Sequence, residues 1–297
     1  MLNRLTTLPL IALALVAPTI SWAVVSSESE KESESVTSSV QSKADPFGLP
    51  LVEKVQLAGS DDAAVEFQKR ILPEVSVLLN STLGERLAIK DISSMAVDPS
   101  KLVLATDATA RIYFVGEGAG YHNSLGLNTI EPGEKIPAGG LTKESELIFP
   151  DASSTVSSYD PASKAVRTTS MPLLPGDFVD IADLKAGTLL DFFLIADGAN
   201  NGKTTYTTDA ARNPDKLQHV VSFALTGSPY LIMAFEDMLG GGDMDYNDVI
   251  FAIDIGYQNI QQLVSTPEPS TLLVLGGFLG LTLTARRRTK NSNLLAA

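Results

Sequence analysis

The sequence predicts a mostly β protein, an antiparallel β-sandwich of jelly-roll type with a small N-terminal helical subregion. Three observations carry that prediction. From about residue 101 the apolar residues recur with period two, in short runs rich in β-branched and aromatic side chains. Gly, Pro, Asn and Asp clusters separate those runs and no helical crossover lies between them, so the sheets must bury their apolar faces on one another. Before residue 80, one stretch carries apolar residues at helical spacing.

Residues 1–23, MLNRLTTLPLIALALVAPTISWA, hold an early Arg4, an apolar run from Leu8 to Ile20, and the small residues Ser21 and Ala23 around Trp22. These are the basic, apolar and cleavage regions of a secretory signal peptide, cut after Ala23. Pro9 and Pro18 interrupt the run and disfavour a buried helix. Residues 24–46 include SSESEKESESVTSSVQSKAD, with scarcely any apolar content, and predict a disordered spacer. Residues 47–100 predict the helical subregion. In GSDDAAVEFQKRILPEVSVLLNSTLG, Ser60 can cap a helix, Asp61 and Asp62 favour its positive end, and Pro73 is expected to end or kink it.

Residues 101–258 predict the sandwich. Its runs are KLVLATDATARIYFVG, SELIFPDAS, TLLDFFLIADG, KLQHVVSFALTG, SPYLIMAFED and NDVIFAIDIG. In the last of these, Val249, Phe251, Ile253 and Ile255 face the core by alternation, leaving Asp248 and Asp254 on the other face or at its end.

Composition narrows the function classes. The chain has 297 residues, enough for a sizeable core, and a formal net charge of −13. Without the basic residues of its two ends the body is more acidic still, so it repels nucleic-acid phosphates and suits cations, basic partners or an exposed surface. Cysteine is absent, which excludes disulfides, thiol nucleophiles and zinc-thiolate sites. An exported domain of this kind relies on its core or on a bound ion.

Residues 259–297 predict a tail. Pro267, Glu268 and Pro269 precede an apolar transmembrane segment at 271–285, and Arg286, Arg287 and Arg288 follow it. The segment is short of the roughly 20 residues a perpendicular spanning helix needs, and the arginines set the cytoplasmic side. This order of triplet, apolar span and arginine cluster resembles the PEP-CTERM sorting signal of Gram-negative bacteria. The resemblance implies an exosortase as partner, cutting near the triplet and passing the protein to the cell surface or exopolysaccharide matrix. An ordinary single-pass anchor fits the same residues, and either reading holds the body outside the cytoplasm.

The most concentrated chemistry lies in MAFEDMLGGGDMDYNDVIF, residues 233–251. Asp243, Asp245 and Asn247 alternate as the first ligands of a calcium loop do, Asp248 adds an oxygen, and Glu236 and Asp237 approach from the preceding strand. Calcium accepts six to eight hard oxygen ligands in a forgiving geometry, and Gly240, Gly241 and Gly242 let the backbone turn tightly. The segment is not an EF-hand, because Asp248 and Asp254 stand where that loop needs Gly and Glu, and a strand follows. Turn-capping by Asp and Asn side chains is the alternative. Glu117 is a candidate additional ligand. Asp197 reads as an Asp-Gly turn residue, and His122 and His219 are too far apart in sequence to suggest a shared site.

The segments YFVGEGAGYHNSLG (113–126), LIFPDAS (147–153), LLPGDFVDI with LKAGTLLDFFLIADG (173–198) and AFEDMLGGGDMDYNDVIF (234–251) resemble, in this order, the bacterial domain of unknown function 4114. The resemblance spans roughly residues 103–256. It implies a secreted or surface protein and attaches no activity. A glycoside hydrolase would need a carboxylate pair such as Asp243 with Glu236, yet the cluster has more acids than a dyad uses and little aromatic lining. A carbohydrate-binding or adhesive module is the other alternative, resting on Tyr121, Tyr159, Tyr206 and Tyr246 in candidate loops. The expectation is an exported, non-enzymatic, calcium-binding protein.

Overall fold

Alternation of apolar side chains produces two antiparallel sheets. The computed structural model describes residues 40–82, 97–135, 140–156, 166–225 and 227–265. The strands there are β1 (Ala108–Gly116), β2 (Ser124–Ile130), β3 (Glu146–Phe149), β4 (Phe178–Leu184), β5 (Leu189–Ile195), β6 (Thr205–Thr207), β7 (Val220–Ala224), β8 (Tyr230–Phe235) and β9 (Val249–Asp254). One sheet has the order β4-β1-β9-β8-β7 and the other β3-β2-β5-β6. β2 pairs with β3 while the flanking β1 pairs with β4, so this stretch folds as nested hairpins divided between the sheets. That arrangement belongs to a sandwich rather than a closed barrel.

Three strands lie outside the expected runs. β2 (SLGLNTI) carries a mid-strand Gly, β4 (FVDIADL) two Asp, and β6 only three residues, all weak β signals. Tertiary packing explains the glycine: a Cβ on Gly126 would lie 2.2 Å from the Phe193 ring, whose close approach needs a bare backbone.

Between the sheets, Phe114, Leu125, Phe192, Met233, Phe235 and Phe251 form the main core. Val249, Ile253 and Ile255 join it, as alternation requires. The intervening residues are apolar as well. Ile250, Ala252, Ile232 and Ala234 face a second core against the N-terminal helical segment, so β8 and β9 are covered on both faces. In that second core Phe67 stacks on Tyr113 with ring centroids 3.8 Å apart, an aromatic contact worth about 0.5–1.5 kcal/mol beyond its area.

The helical segment differs from expectation in two places. Asp61, not Ser60, caps α1 (Asp62–Glu66), its Oδ1 accepting from the Ala64 N–H at 2.7 Å. Pro73 does not end the helix. The turn widens to a π form over Phe67–Ile71, and α2 (Leu72–Thr82) continues through Pro73. The ring sits in the first turn of α2, and the π turn ahead of it relieves the clash with a preceding carbonyl.

Segments before and between the strands cover sheet edges, which would otherwise template pairing with other chains. Gln56 exchanges hydrogen bonds with Phe178 of β4, Val52 N–H donates to Leu147 O of β3, and Val97 N–H donates to Ser222 O of β7. α3 (Tyr257–Ser265) packs back on the sandwich through buried Ile260, and Asn259 Oδ1 accepts from the N–H groups of Ala105 (2.8 Å) and Thr106 (2.9 Å). The folded unit thus takes in the first residues of the expected 259–297 tail. The signal peptide at 1–23, the spacer as far as residue 39, Tyr159, and residues 266–297 with Pro267 to Pro269 and Arg286 to Arg288 lie outside the described residues. No helix among the described residues is long and apolar enough to cross a membrane.

Candidate cation site

The acidic residues gather because β8 and β9 are adjacent antiparallel strands, with Phe235 opposite Val249, and residues 236–248 connect them. Asp248 N–H donates to Phe235 O (3.1 Å), and Asp237 N–H donates to Asp248 Oδ2 (2.7 Å), which closes the base of the loop. Above that base the chain coils tightly: Gly240, Gly241, Gly242, Met244 and Tyr246 all have positive φ. For Met244 and Tyr246 that conformation costs about 1–2 kcal/mol each.

The loop brings five of the predicted carboxylates together as two sets. Glu236, Asp243 and Asp245 present oxygens all within 4.8 Å of one another, and so do Glu236, Asp237 and Asp248. Asn247 is buried, and its Nδ2 donates to Asp245 Oδ2, so it holds a member of the first set. Glu236 is common to both sets and is only 2 % exposed. Its Oε1 accepts one long hydrogen bond from Met238 N–H (3.4 Å), while its Oε2 is buried and has no hydrogen-bond partner. A buried carboxylate oxygen without a donor is costly unless a cation or proton takes the place of one.

Electrostatics agree with that crowding. Burial, and then the charges of Asp243, Asp237 and Asp245, push Glu236 up to about 7. Burial, then Asp237 and Glu236, push Asp248 up to about 8. Asp245 is raised by burial and by Asp243, and Asp237 by burial against the opposing hydrogen bond from Asn123.

Residues that the sequence did not connect with the acidic cluster hold this loop in place. His219 is fully buried and stacked on Tyr206 at 3.8 Å, so Tyr206 is a packing residue rather than an exposed loop tyrosine. One ring nitrogen of His219 lies 2.9 Å from Glu236 O and the other 2.9 Å from Asp215 Oδ2, which also accepts from Gly240 N–H at 2.8 Å. Burial raises the Asp215 carboxyl, but the N–H groups of Gly240 and Leu217 and the His219 ring outweigh it and hold the group at about 2. The start of the loop at Glu236 and the start of the glycine run at Gly240 are therefore tied to the β6–β7 connection. Asn123, in turn, links the two sheets: its Nδ2 donates to Asp237 Oδ2 (2.7 Å) and its Oδ1 accepts from Asp197 N–H (3.0 Å).

The remaining candidates sit elsewhere. Glu117 is outside both sets; its Oε1 accepts from Ser154 N–H (3.2 Å), and burial pushes it up to about 7. Asp197 behaves as a turn residue, at φ 52°, accepting from His122 N–H (3.1 Å) and Asn200 Nδ2 (2.9 Å). His122 lies between Asp151 (3.5 Å) and Ser153 (3.1 Å). Tyr246 hydroxyl donates to Gln218 O at 3.2 Å. A cleft of about 570 Å³ lined by Arg111, Tyr113, Asp180 and Asp254 is separate from the loop, and Arg111 there is paired with Asp180 at 2.6 Å and lies 4.0 Å over the Phe178 ring.

No curated protein and no solved structure matches the chain. A protein family described as a domain of unknown function, DUF4114, matches residues 184–256. That span runs from the end of β4 through β9, narrower than the 103–256 expected from the quoted segments, and it contains every carboxylate of the two sets. This part of the chain is thus similar to DUF4114, with the acidic β8–β9 loop inside the similarity.

Proposed function

We propose that the chain is an exported, non-enzymatic β-sandwich protein that binds calcium through its β8–β9 loop at the bacterial cell surface or in an exopolysaccharide matrix, after sorting by an exosortase. The observation that carries the calcium reading is Glu236: a carboxylate 2 % exposed, with an oxygen lacking a donor, shared by two sets of acids. Two oxygens bound to one calcium lie at most roughly 5 Å apart, twice the 2.3–2.6 Å ligand distance. Each set, at 4.8 Å or less, meets that limit. Magnesium, at about 2.0–2.1 Å, would draw the same oxygens to within roughly 4.2 Å and imposes a stricter octahedron.

The experiment is thermal melting of the purified protein in chelator, in millimolar calcium and in millimolar magnesium. Binding to the folded chain alone stabilises it by about 2.7 kcal/mol when calcium is a hundredfold above its dissociation constant. Calcium should raise the melting temperature, magnesium should do so poorly, and Asp245→Ala should lessen the response while Asp197→Ala keeps it in full. Equal melting in chelator and calcium would leave the acids as turn caps and end the calcium reading. Export is tested separately: mass spectrometry of the mature protein should find it starting near Val24 and ending near Pro267 to Pro269, and retention of Arg286 to Arg288 would favour a simple anchor.

A further inference from the structure

The five carboxylates of the loop do not form one shell. They form two sets that overlap only at Glu236, with Asp243 and Asp245 in one and Asp237 and Asp248 in the other. Within each set the two aspartates present oxygens no more than 4.8 Å apart: Asp243 with Asp245, and Asp248 with Asp237. Each such pair is a place where a cation would sit between neighbouring carboxylates. The shared residue is the one whose Oε2 is buried without a hydrogen-bond partner, and its Oε1 lies beside Gly242, close enough that a Cβ there would be 2.1 Å away. Its carboxylate therefore stands between the two pairs with oxygen capacity to spare.

We propose that the loop binds two divalent cations of the calcium class, one on Asp243 and Asp245 and one on Asp237 and Asp248, with the Glu236 carboxylate bridging them. This rests on the calcium reading above and adds its stoichiometry and ligand division. Charge favours two ions. With all five acids ionised, one divalent cation leaves three negative charges in the loop, whereas two leave one. Carboxylate-bridged ions about 3.5–4 Å apart are a common arrangement, and calcium completes six to eight ligands from waters and backbone carbonyls. The two positions are not equivalent. Asp237 and Asp248 are tied to the sandwich by Asn123 Nδ2 and by Asp237 N–H, so the inner ion occupies a preformed set. Asp243 is exposed and sits in the coiled part of the loop, so the outer ion has more loop to order and binds more weakly.

Calorimetric titration of calcium into the purified, chelator-stripped full chain, with native mass spectrometry, counts the ions. Two per chain, in two resolvable affinities, is the expected result. Asp243→Asn should abolish the weaker event or reduce its affinity at least tenfold and leave the tighter one, and Glu236→Gln should weaken both. Asp237→Asn is the mirror variant; since it is buried, its folding is checked by circular dichroism, and the exposed Asp243→Asn variant decides the matter alone if it does not fold. One ion per chain in the wild type, or loss of both events on Asp243→Asn, would overturn the two-ion arrangement while leaving the calcium reading intact. No binding at all would overturn both.

Discussion

Replacing Glu236 by Gln is predicted to stabilise the protein in chelator and to cost it most of its response to calcium. Two unit charges 4.8 Å apart repel by about 0.9 kcal/mol in a water-like medium and about 3.5 kcal/mol at an effective dielectric of 20. Glu236 faces four carboxylates at such distances, in two sets. At pH 8 it is mostly ionised, because its value is about 7, while Asp248, at about 8, is half neutralised. Taking the water-like end for each neighbour, removing the Glu236 charge relieves roughly 2–4 kcal/mol. The amide keeps an oxygen for the Met238 N–H and turns its NH₂ toward carboxylates, so no buried group loses its partner. At roughly 2–4 °C per kcal/mol for a domain of this size, the variant should melt about 4–16 °C above wild type in chelator at pH 8. In saturating calcium the order should reverse, since wild type gains about 2.7 kcal/mol per ion at a hundredfold excess over its dissociation constant. Scanning calorimetry of both proteins in both buffers is the assay. A variant that melts lower than wild type by the same amount in chelator and in calcium would refute the reasoning, since Glu236 would then be a structural acceptor and not a repelled ligand.

Two further outcomes follow from the same geometry. In chelator, Glu236 and Asp248 hold protons in the folded chain up to about 7 and about 8, whereas unfolded carboxylates lose them near pH 4. The folded state therefore binds more protons between those limits, so the stability from these groups is present below pH 4 and is lost as pH rises through 7 to 8. Glu117, also about 7, adds in the same direction. The melting temperature in chelator should fall between pH 5 and pH 8.5, the calcium increment should grow over the same range, and Glu236→Gln should flatten the chelator slope. Asn123→Ala should destabilise the protein by about 1–3 kcal/mol in denaturant titration, because it leaves Asp237 Oδ2 and the Asp197 N–H without their partner. It should also weaken calcium binding about 10–100-fold, as loss of an outer-shell partner does, and an unchanged affinity would show that the link to β2 does not position Asp237.

What the sequence determined by itself was whatever depends on local period and local charge. Alternation in NDVIFAIDIG placed Val249, Phe251, Ile253 and Ile255 on the core side of β9, and the structure has them there. The density of acids about GGG marked the β8–β9 loop, because carboxylates on one turn are neighbours in sequence as in space. The tertiary structure decided the rest. β2 carries Gly126 for the sake of Phe193 on another strand, and β4 and β6 are strands because their neighbours pair with them, so their own propensities could not announce them. Pro73 continues a helix because a π turn precedes it, and no pattern in the sequence encodes that widening. Asn123 reaches Asp237 across 114 positions, and His219 and Asp215 hold the glycine run from a different connection. Glu117, close to Asn123 in sequence, is held instead by Ser154. The division of the five acids into two sets about Glu236 is likewise a fact of three dimensions. Spacing along the chain gives the number of acids, but only the fold fixes which of their oxygens come within 4.8 Å of one another, and which residue is shared and left buried without a donor.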